Sequence, residues 1–462
     1  MIPNQQNFFP NTPRTGPSRP RPNEPMMRMA PIILVLSVLL LAGGIAPGGA
    51  AAQLRGGPPV GLPAGGPFGA GGPDLRDVAH GPPPWSAVVS GQLPPGLERA
   101  RAVVPEKLSL PQKERAANLA RARPDSYELD RAGALVLRGQ VLATGLADGQ
   151  IAAIRQAGFS IDRQEDLPDL GLSMAVISRP GVGSDDLLRR LRRIAPRGTF
   201  APNHVLFGSG RAAAPPPSPS PPAPSAADPG RSARVGLIDT GVSTRVDSPR
   251  VRIVRRAFLP GAEQAELHGT AVAALLAAPP GPVTIYAAGI FTETRAGSSD
   301  LLVRALGWLA SERVPVINIS MVGPANPVVA LAIAALVRKG FAIVAPVGND
   351  GAAAHPLFPA SYPGVIAVSA AGNDGRLLPE ASRVGRVDFV ARGIDEVADP
   401  AGHPTTVRGT SFAAPVVSRR LAGLLSAPDP RAVEVAVGAL VRSARTLAAD
   451  RRWTGHGLVD AQ

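Results

Sequence analysis

From Arg234 to Arg445 short apolar runs alternate with helix-patterned segments, and this alternation constrains the fold more than any other feature of the chain. Arg234–Ile238, Val283–Ala288, Val316–Ser320, Phe341–Val347 and Val365–Ala370 are almost continuously apolar. That pattern belongs to strands buried on both faces. Between them Gly269–Ala278, Asp300–Ala310 and Asn326–Arg338 read as helices, and Ser411–Leu425 and Pro430–Arg445 close the series. Alternation of this kind predicts an α/β fold, a parallel sheet with helices on both faces. Ligands in such sheets sit beyond the carboxyl ends of the strands, so the chemistry is expected there.

The rest of the chain has a different texture. Its 51 Gly and 52 Pro crowd the region before residue 125 and the tract at 208–230. Residues 1–52 hold four scattered arginines, an uncharged apolar run from Ile32 to Ala42, and Ala50-Ala51-Ala52, the parts of a cleaved export signal with a long basic start. A retained anchor through 30–46 is the alternative, although that run is short against the roughly 20 residues needed to span a bilayer. The expected location is secreted or periplasmic, or membrane-anchored through 30–46. Residues 53–124 read as a Gly/Pro-rich linker without enough apolar surface to order itself, its charged end Leu97–Arg123 only weakly helical in pattern.

Residues 125–208 form a second module. Strands are expected at Ala134–Leu142, Phe159–Asp162, Leu172–Ile177 and Val205–Phe207, with helices at Asp148–Ala157 and Ser184–Ile194. The order βαββαβ predicts a small ferredoxin-like α+β domain. Residues 209–230, with Ala-Pro-Pro-Pro-Ser-Pro at their centre, read as an extended spacer before the α/β domain at 231–462.

Composition excludes several classes of function. There is no cysteine, so disulfides, thiolate catalysis and cysteine-held metals are absent. The net charge of +13 is spread over scattered arginines, with aromatics at only 4%, which argues against nucleic acid as a partner. Arg189-Arg190, Arg192-Arg193 and Arg419-Arg420 read as solvated helix faces. His80, His204, His355, His403 and His456 read as surface or loop residues, with no helical metal-ligand pair among them.

Three motifs stand at the junctions where a parallel sheet keeps its chemistry. In Val235–Val242 (VGLIDTGV) four apolar residues run into Asp239, a carboxylate that needs a partner at the end of a buried strand. In His268–Ala278 (HGTAVAALLAA) His268 opens an alanine-rich helix. In Gly409–Pro415 (GTSFAAP) Ser411 lies at a helix start, and Pro415 is expected in its first turn. Asp, His and Ser can act as one unit, the His taking the Ser proton and the Asp fixing the imidazole.

With these three motifs, in this order and at these junctions, the sequence resembles the subtilisin-like serine proteases over about 231–462, down to the closing GHGLVDA of 455–461. The resemblance implies a serine endopeptidase acting on polypeptides through an acyl-enzyme, with Asp239, His268 and Ser411 as its triad. It also implies an asparagine that donates to the oxyanion. Of the two similar segments VGNDG (347–351) and AGNDG (371–375), the first follows the matching strand, so Asn349 is expected and Asn373 is read as a surface turn. Ser320, Met321, Val322 and Gly323 resemble one wall of the first specificity pocket, with Ala345, Pro346 and Val347 opposite. Val322 and Pro346 depart from the family pattern. Thr294–Ser298, including Ala296 and Gly297, would be the edge that pairs with substrate.

By the same resemblance 125–208 is the inhibitory propeptide. Its tail PNHVLFG (202–208) would lie in the cleft, with cleavage near Phe207–Arg211 or in the proline tract. No cofactor is expected. Calcium is possible in the family, but Pro279-Pro280-Gly281-Pro282 stands where many members carry a calcium loop, and no cluster of acidic or amide side chains replaces it. The other reading, from a different class, is an autoinhibited or inactive subtilisin-like protein that acts as a protein-binding module.

Overall fold

The computed structural model describes residues 110–213, 232–278, 281–292, 296–352, 354–383 and 385–460. The expected export segment, most of the 53–124 linker and most of the proline tract lie outside these residues. Within the described part the elements are α1 (Leu110–Ala122), β1 (Tyr127–Leu129), β2 (Leu135–Thr144), α2 (Asp148–Gln156), β3 (Ser160–Leu167), β4 (Leu172–Ser178), α3 (Ser184–Ile194), β5 (Thr199–Gly208), β6 (Arg211–Ala213), β7 (Ala233–Asp239), β8 (Val251–Ala257), α4 (Leu267–Leu276), β9 (Val283–Gly289), β10 (Gly297–Ser298), α5 (Ser299–Ser311), β11 (Val316–Ile319), β12 (Met321–Val322), α6 (Pro327–Arg338), β13 (Ala342–Pro346), β14 (Val365–Ala371), β15 (Phe389–Arg392), β16 (Ile394–Ala398), β17 (Pro404–Arg408), α7 (Thr410–Leu424), α8 (Pro430–Ser443), α9 (Arg451–Thr454) and β18 (Leu458–Val459).

The part from residue 232 onward is built on an eight-stranded sheet in the order β18-β15-β14-β13-β11-β7-β9-β8. Every neighbouring pair in it is parallel. Leu237, Val235, Val344 and Val368 face a core shared with α4 and α7, whereas Ile238, Ile317 and Ile343 face α5 and α6. The expected α/β architecture, with helices on both faces, is the one observed. Strand β8 went unread in the sequence because it is the sheet edge: of VRIVRRA only Val251 and Ile253 are buried, and the arginines reach solvent.

The module before it has the order β5-β2-β4-β3, all antiparallel, with α2 and α3 on one face. Val141, Ala143, Ile177 and Phe200 meet Ile154, Leu187 and Leu191 of those helices. The opposite face is not solvated. Leu142, Met174, Val176 and Ala201 share a core with Leu306, Trp308, Val329 and Ile333 of α5 and α6. Arg163–Asp300 at 2.9 Å and Arg304–Glu165 at 2.7 Å add ion pairs across this face.

Five expectations need correction. Leu110–Arg123 does not belong with the linker: α1 buries Ala116 against Tyr127, Leu135 and Val205, and finds on the module the apolar partners it lacks by itself. The spacer does not start at 209, because β6 at Arg211–Ala213 pairs with β17. Pro415 is not in the first turn of α7 but is its sixth residue, where its missing N–H leaves the Ser411 carbonyl without its helical donor. Arg419 and His204 are not solvated: they are 6% and 5% exposed. Burial disfavours the charged form of Arg419 and lowers its pKa, and its guanidinium donates to the Gly281 carbonyl at 3.0 Å.

Candidate active site

Asp239 ends β7, fully buried, where the Thr240 N–H donates to its Oδ1 at 2.7 Å. Helix α4 brings His268 to the same oxygen, with Nδ1 2.7 Å away. The approach depends on the glycine of the His-Gly-Thr motif. A Cβ on Gly269 would lie 2.5 Å from the Thr240 carbonyl oxygen, so only glycine lets α4 press against the turn after β7. The His268 ring is flanked by Phe412 and Phe291, with centroids at 5.2 and 6.2 Å. Its Nε2 is buried without a hydrogen-bond partner and faces Gly210, where a Cβ would lie 3.1 Å from it.

Ser411 is the second residue of α7 and is fully buried. Gly409 caps that helix at φ 136°, a conformation that side chains rarely adopt, and a Cβ there would come 2.8 Å from Asn349 Nδ2 and 3.2 Å from the Ser209 carbonyl oxygen. Asn349 is held in one orientation because its Oδ1 accepts the Thr410 N–H at 3.0 Å. Its Nδ2 therefore points outward and donates to the Ser209 carbonyl oxygen. The Ser411 N–H faces the same oxygen at 3.3 Å. Two donors thus converge on one carbonyl, at the start of a helix whose positive end adds to them. Asn373 lies in an exposed turn after β14.

The carbonyl belongs to the chain's own module. Beyond Val205, β5 runs as a middle strand between two edges of the catalytic part. Val205 and Leu206 pair with Ser298 and Gly297 of β10, and Phe207 and Gly208 pair with Val322 and Met321 of β12. Past the cleft, β6 pairs with β17. The segment 205–213 thus crosses the site as an extended polypeptide, with the Ser209–Gly210 bond beside Ser411. The Ser411 and Ser209 hydroxyls are hydrogen-bonded to each other. Helix α1 lies over the strand: Arg115 stacks on Phe207 at 5.3 Å, and Gln112 donates to Asp350, next to Asn349, at 2.7 Å.

Among the expected pocket residues, Met321 and Val322 touch the tail through β12. Val322, Gly323 and Pro324 line a small cleft with Gln112, Arg115 and Phe207. Ala296 packs near Val205, and Gly297 pairs with Leu206. Thr294 lies outside the described residues. Ser320 is turned inward, its Oγ accepting from Asn318 at 2.6 Å. Ala345 and Pro346 pair within the sheet, with Ala367 and Val368 of β14, and the Val347 N–H donates to the Val368 carbonyl at 3.0 Å.

A further His, Ser and Asp set, His204, Ser299 and Asp300, meets at the junction of β5 and α5. It is an interface network. The ring of His204 lies between Asp130 and Asn326, both at 3.1 Å. Ser299 Oγ donates to the His204 backbone carbonyl at 3.3 Å. Asp300 is committed to Ser298, Asn203 and Arg163 at 2.6 to 2.9 Å. No hydroxyl there meets the imidazole.

Comparison with known proteins gives a consistent picture. The sequence model described as the subtilase family matches residues 230–457. Subtilisin amylosacchariticus of Bacillus subtilis subsp. amylosacchariticus is 26% identical over 251 residues, which is 50% of this chain and 65% of that relative. Subtilisin of Bacillus pumilus is also 26% identical over 251 residues, 50% of this chain and 90% of that one. The crystal structure of fervidolysin from Fervidobacterium pennivorans, a keratinolytic enzyme related to subtilisin, superposes with TM-score 0.57 at 18% identity and covers 73% of this chain and 62% of that one. The match thus spans 65% of the length of the first relative.

Proposed function

We propose that this chain, which belongs to the subtilase family through residues 230–457, is a serine endopeptidase made as a precursor that cuts itself between Ser209 and Gly210. One observation carries the proposal: the Ser209 carbonyl oxygen takes both the Asn349 Nδ2 and the Ser411 N–H, while the Nε2 of the Asp239-bound His268 faces Gly210 across the bond, 3.1 Å from where a Cβ of that residue would lie. In this reading Ser411 Oγ attacks the Ser209 carbonyl carbon and His268 Nε2 takes its proton, while Asp239 holds the Nδ1 proton and stabilises the imidazolium. The oxyanion gathers on the atom that already accepts two donors, and Ser411 Oγ, bonded to the Ser209 hydroxyl, turns to the unpartnered His268 Nε2 before it attacks. His268 then gives the proton to the Gly210 nitrogen, the C–N bond breaks, and the acyl group stays on Ser411. Water, deprotonated by His268, releases it.

The ferredoxin-like module is read as propeptide and inhibitor, and after the cut its 205–209 strand would still fill the substrate side of the cleft. The tether through the proline tract keeps an uncut tail at high local concentration. Export, with 1–52 as signal, is supported by the arginine-flanked apolar run at 32–42. Among the described residues no helix is long and apolar enough to cross a membrane.

The test is Ser411→Ala in a host free of other maturing proteases. The full-length chain should persist, and the wild type should yield a mature protein starting at Gly210. If Ser411→Ala matures, another protease makes the cut. If a fluorophosphonate fails to label Ser411 of the processed wild type, the chain is a binding module.

A further inference from the structure

We propose that the cleft selects glycine on both sides of the residue it cuts after, strictly on the leaving side through Phe412 and less strictly on the other through Phe291. The proposal rests on reading Ser411 as nucleophile. It deepens that reading by naming the substrate class, polypeptides with a glycine–small residue–glycine segment.

The restriction comes from space. Neither Gly208 nor Gly210 is among the glycines with positive φ, so another residue could adopt either backbone. A Cβ on Gly210, however, would lie 2.5 Å from Phe412 Cε2, 3.0 Å from its Cζ and 3.1 Å from His268 Nε2. Phe412 cannot yield readily. It is 1% exposed, sits in α7 directly after Ser411, and belongs to the core behind the sheet. Relief would shift either the helix that carries the nucleophile or the base itself. A Cβ on Gly208 would come 3.2 and 3.3 Å from Phe291 Cε2 and Cζ. That is a mild overlap, and although Phe291 is buried in the core it stands in the loop after β9 and not on the helix of the nucleophile, so a shift of a few tenths of an ångström relieves it.

The pattern recurs in the chain. Phe207-Gly208-Ser209-Gly210 has a counterpart in Phe68-Gly69-Ala70-Gly71. By the same rule the Ala70–Gly71 bond is a second substrate.

The experiment uses the self-processed protein and peptides. The parent is the sequence of residues 205–212, compared with the same peptide carrying Gly210→Ala or Gly208→Ala, and with the sequence of residues 66–73. Overpacking of a rigid site should lower kcat/KM about 100-fold for Gly210→Ala and less than about tenfold for Gly208→Ala. The 66–73 peptide should be cut between Ala70 and Gly71. Phe412→Leu removes the ring carbons and should shrink the Gly210→Ala penalty to less than about tenfold. That effect is read as a ratio within one enzyme, and if the variant misfolds the wild-type series still decides. Cleavage of the Gly210→Ala peptide within threefold of the parent overturns the proposal, and an uncut 66–73 peptide removes the second bond from it. If Ser411 takes a fluorophosphonate while all peptides are cut alike, only the glycine selection falls. If Ser411 is unlabelled and nothing is cut, the protease reading falls and takes this proposal with it.

Discussion

Replacing Asn349 by alanine removes one of two donors to the Ser209 carbonyl oxygen. The survivor is the Ser411 N–H at 3.3 Å, a longer contact than an ordinary N–H···O bond. Most of the stabilisation of the developing oxyanion is therefore lost. Removing such a donor lowers kcat by about 10²–10³, a figure carried over from subtilisin-type sites. In the proposed self-cleavage enzyme and substrate are one chain, which suits this measurement. Binding is already complete, so the first-order rate reports the chemical step. A pulse-chase of the full-length protein, with precursor and product resolved on a gel, gives that rate independently of concentration. Asn349→Ala should lengthen the half-life of the precursor by about 10²–10³-fold, with the precursor still folded. Asn349→Asp should be at least as slow, because it keeps the acceptor for the Thr410 N–H but sets a carboxylate against the carbonyl. Asn373→Ala, in an exposed turn, should mature at the wild-type rate. If Asn349→Ala matures within threefold of wild type, Asn349 is not the oxyanion donor and the reasoning fails.

Other expectations follow from the interface and the cleft. Gln112→Ala with Arg115→Ala removes the bond to Asp350 and the stacking on Phe207, so the cleaved module should leave the mature protein about tenfold faster, measured as recovery of peptidase activity. Burial opposes the charge on Asp130, but His204 and the Ala134 and Ala132 N–H groups outweigh it and hold the carboxyl below its ordinary value of 3.8. A depressed folded-state pKa contributes stability above that value, and the contribution is lost as pH falls through the lower folded-state value. Asp130→Asn should therefore lower the melting temperature of the precursor at neutral pH and flatten its acid limb. An unchanged acid limb would show that Asp130 does not link pH to stability. Treatment with a chelator should leave the melting temperature of the mature protein within about two degrees, since the segment after α4 runs through Pro279-Pro280-Gly281-Pro282 with no carboxylate. A larger drop would reveal a metal site.

What the sequence determined was local. A strand buried on both faces must be continuously apolar, and a helix start must satisfy its first N–H groups. The runs into Asp239, His268 and Ser411 therefore showed both the elements and the junctions. Gly269 and Gly409 stand inside these motifs, but the approaches they permit, to Thr240 and to Asn349 and Ser209, join segments far apart in the chain. The Asp-Thr-Gly, His-Gly-Thr and Gly-Thr-Ser motifs thus carried the family resemblance without any knowledge of packing.

What only the tertiary structure decided depends on partners distant in the chain. α1 looked unable to order itself because its apolar support, Tyr127, Leu135 and Val205, comes from other elements. His204 looked like a surface residue because Asp130 and Asn326, which enclose it, belong to different modules. β8 was hidden because an edge strand keeps one side in water, and its arginines broke the apolar pattern. The sequence placed a cut near Phe207–Arg211 and left the proline tract open. The register of β5 between β10 and β12 put the Ser209 carbonyl under Asn349 and brought Phe412 against Gly210. Hydrogen-bond periodicity is written in neighbouring residues. Which bond lies beside a nucleophile is set by pairings between segments far apart, and those appear only when the chain has closed on itself.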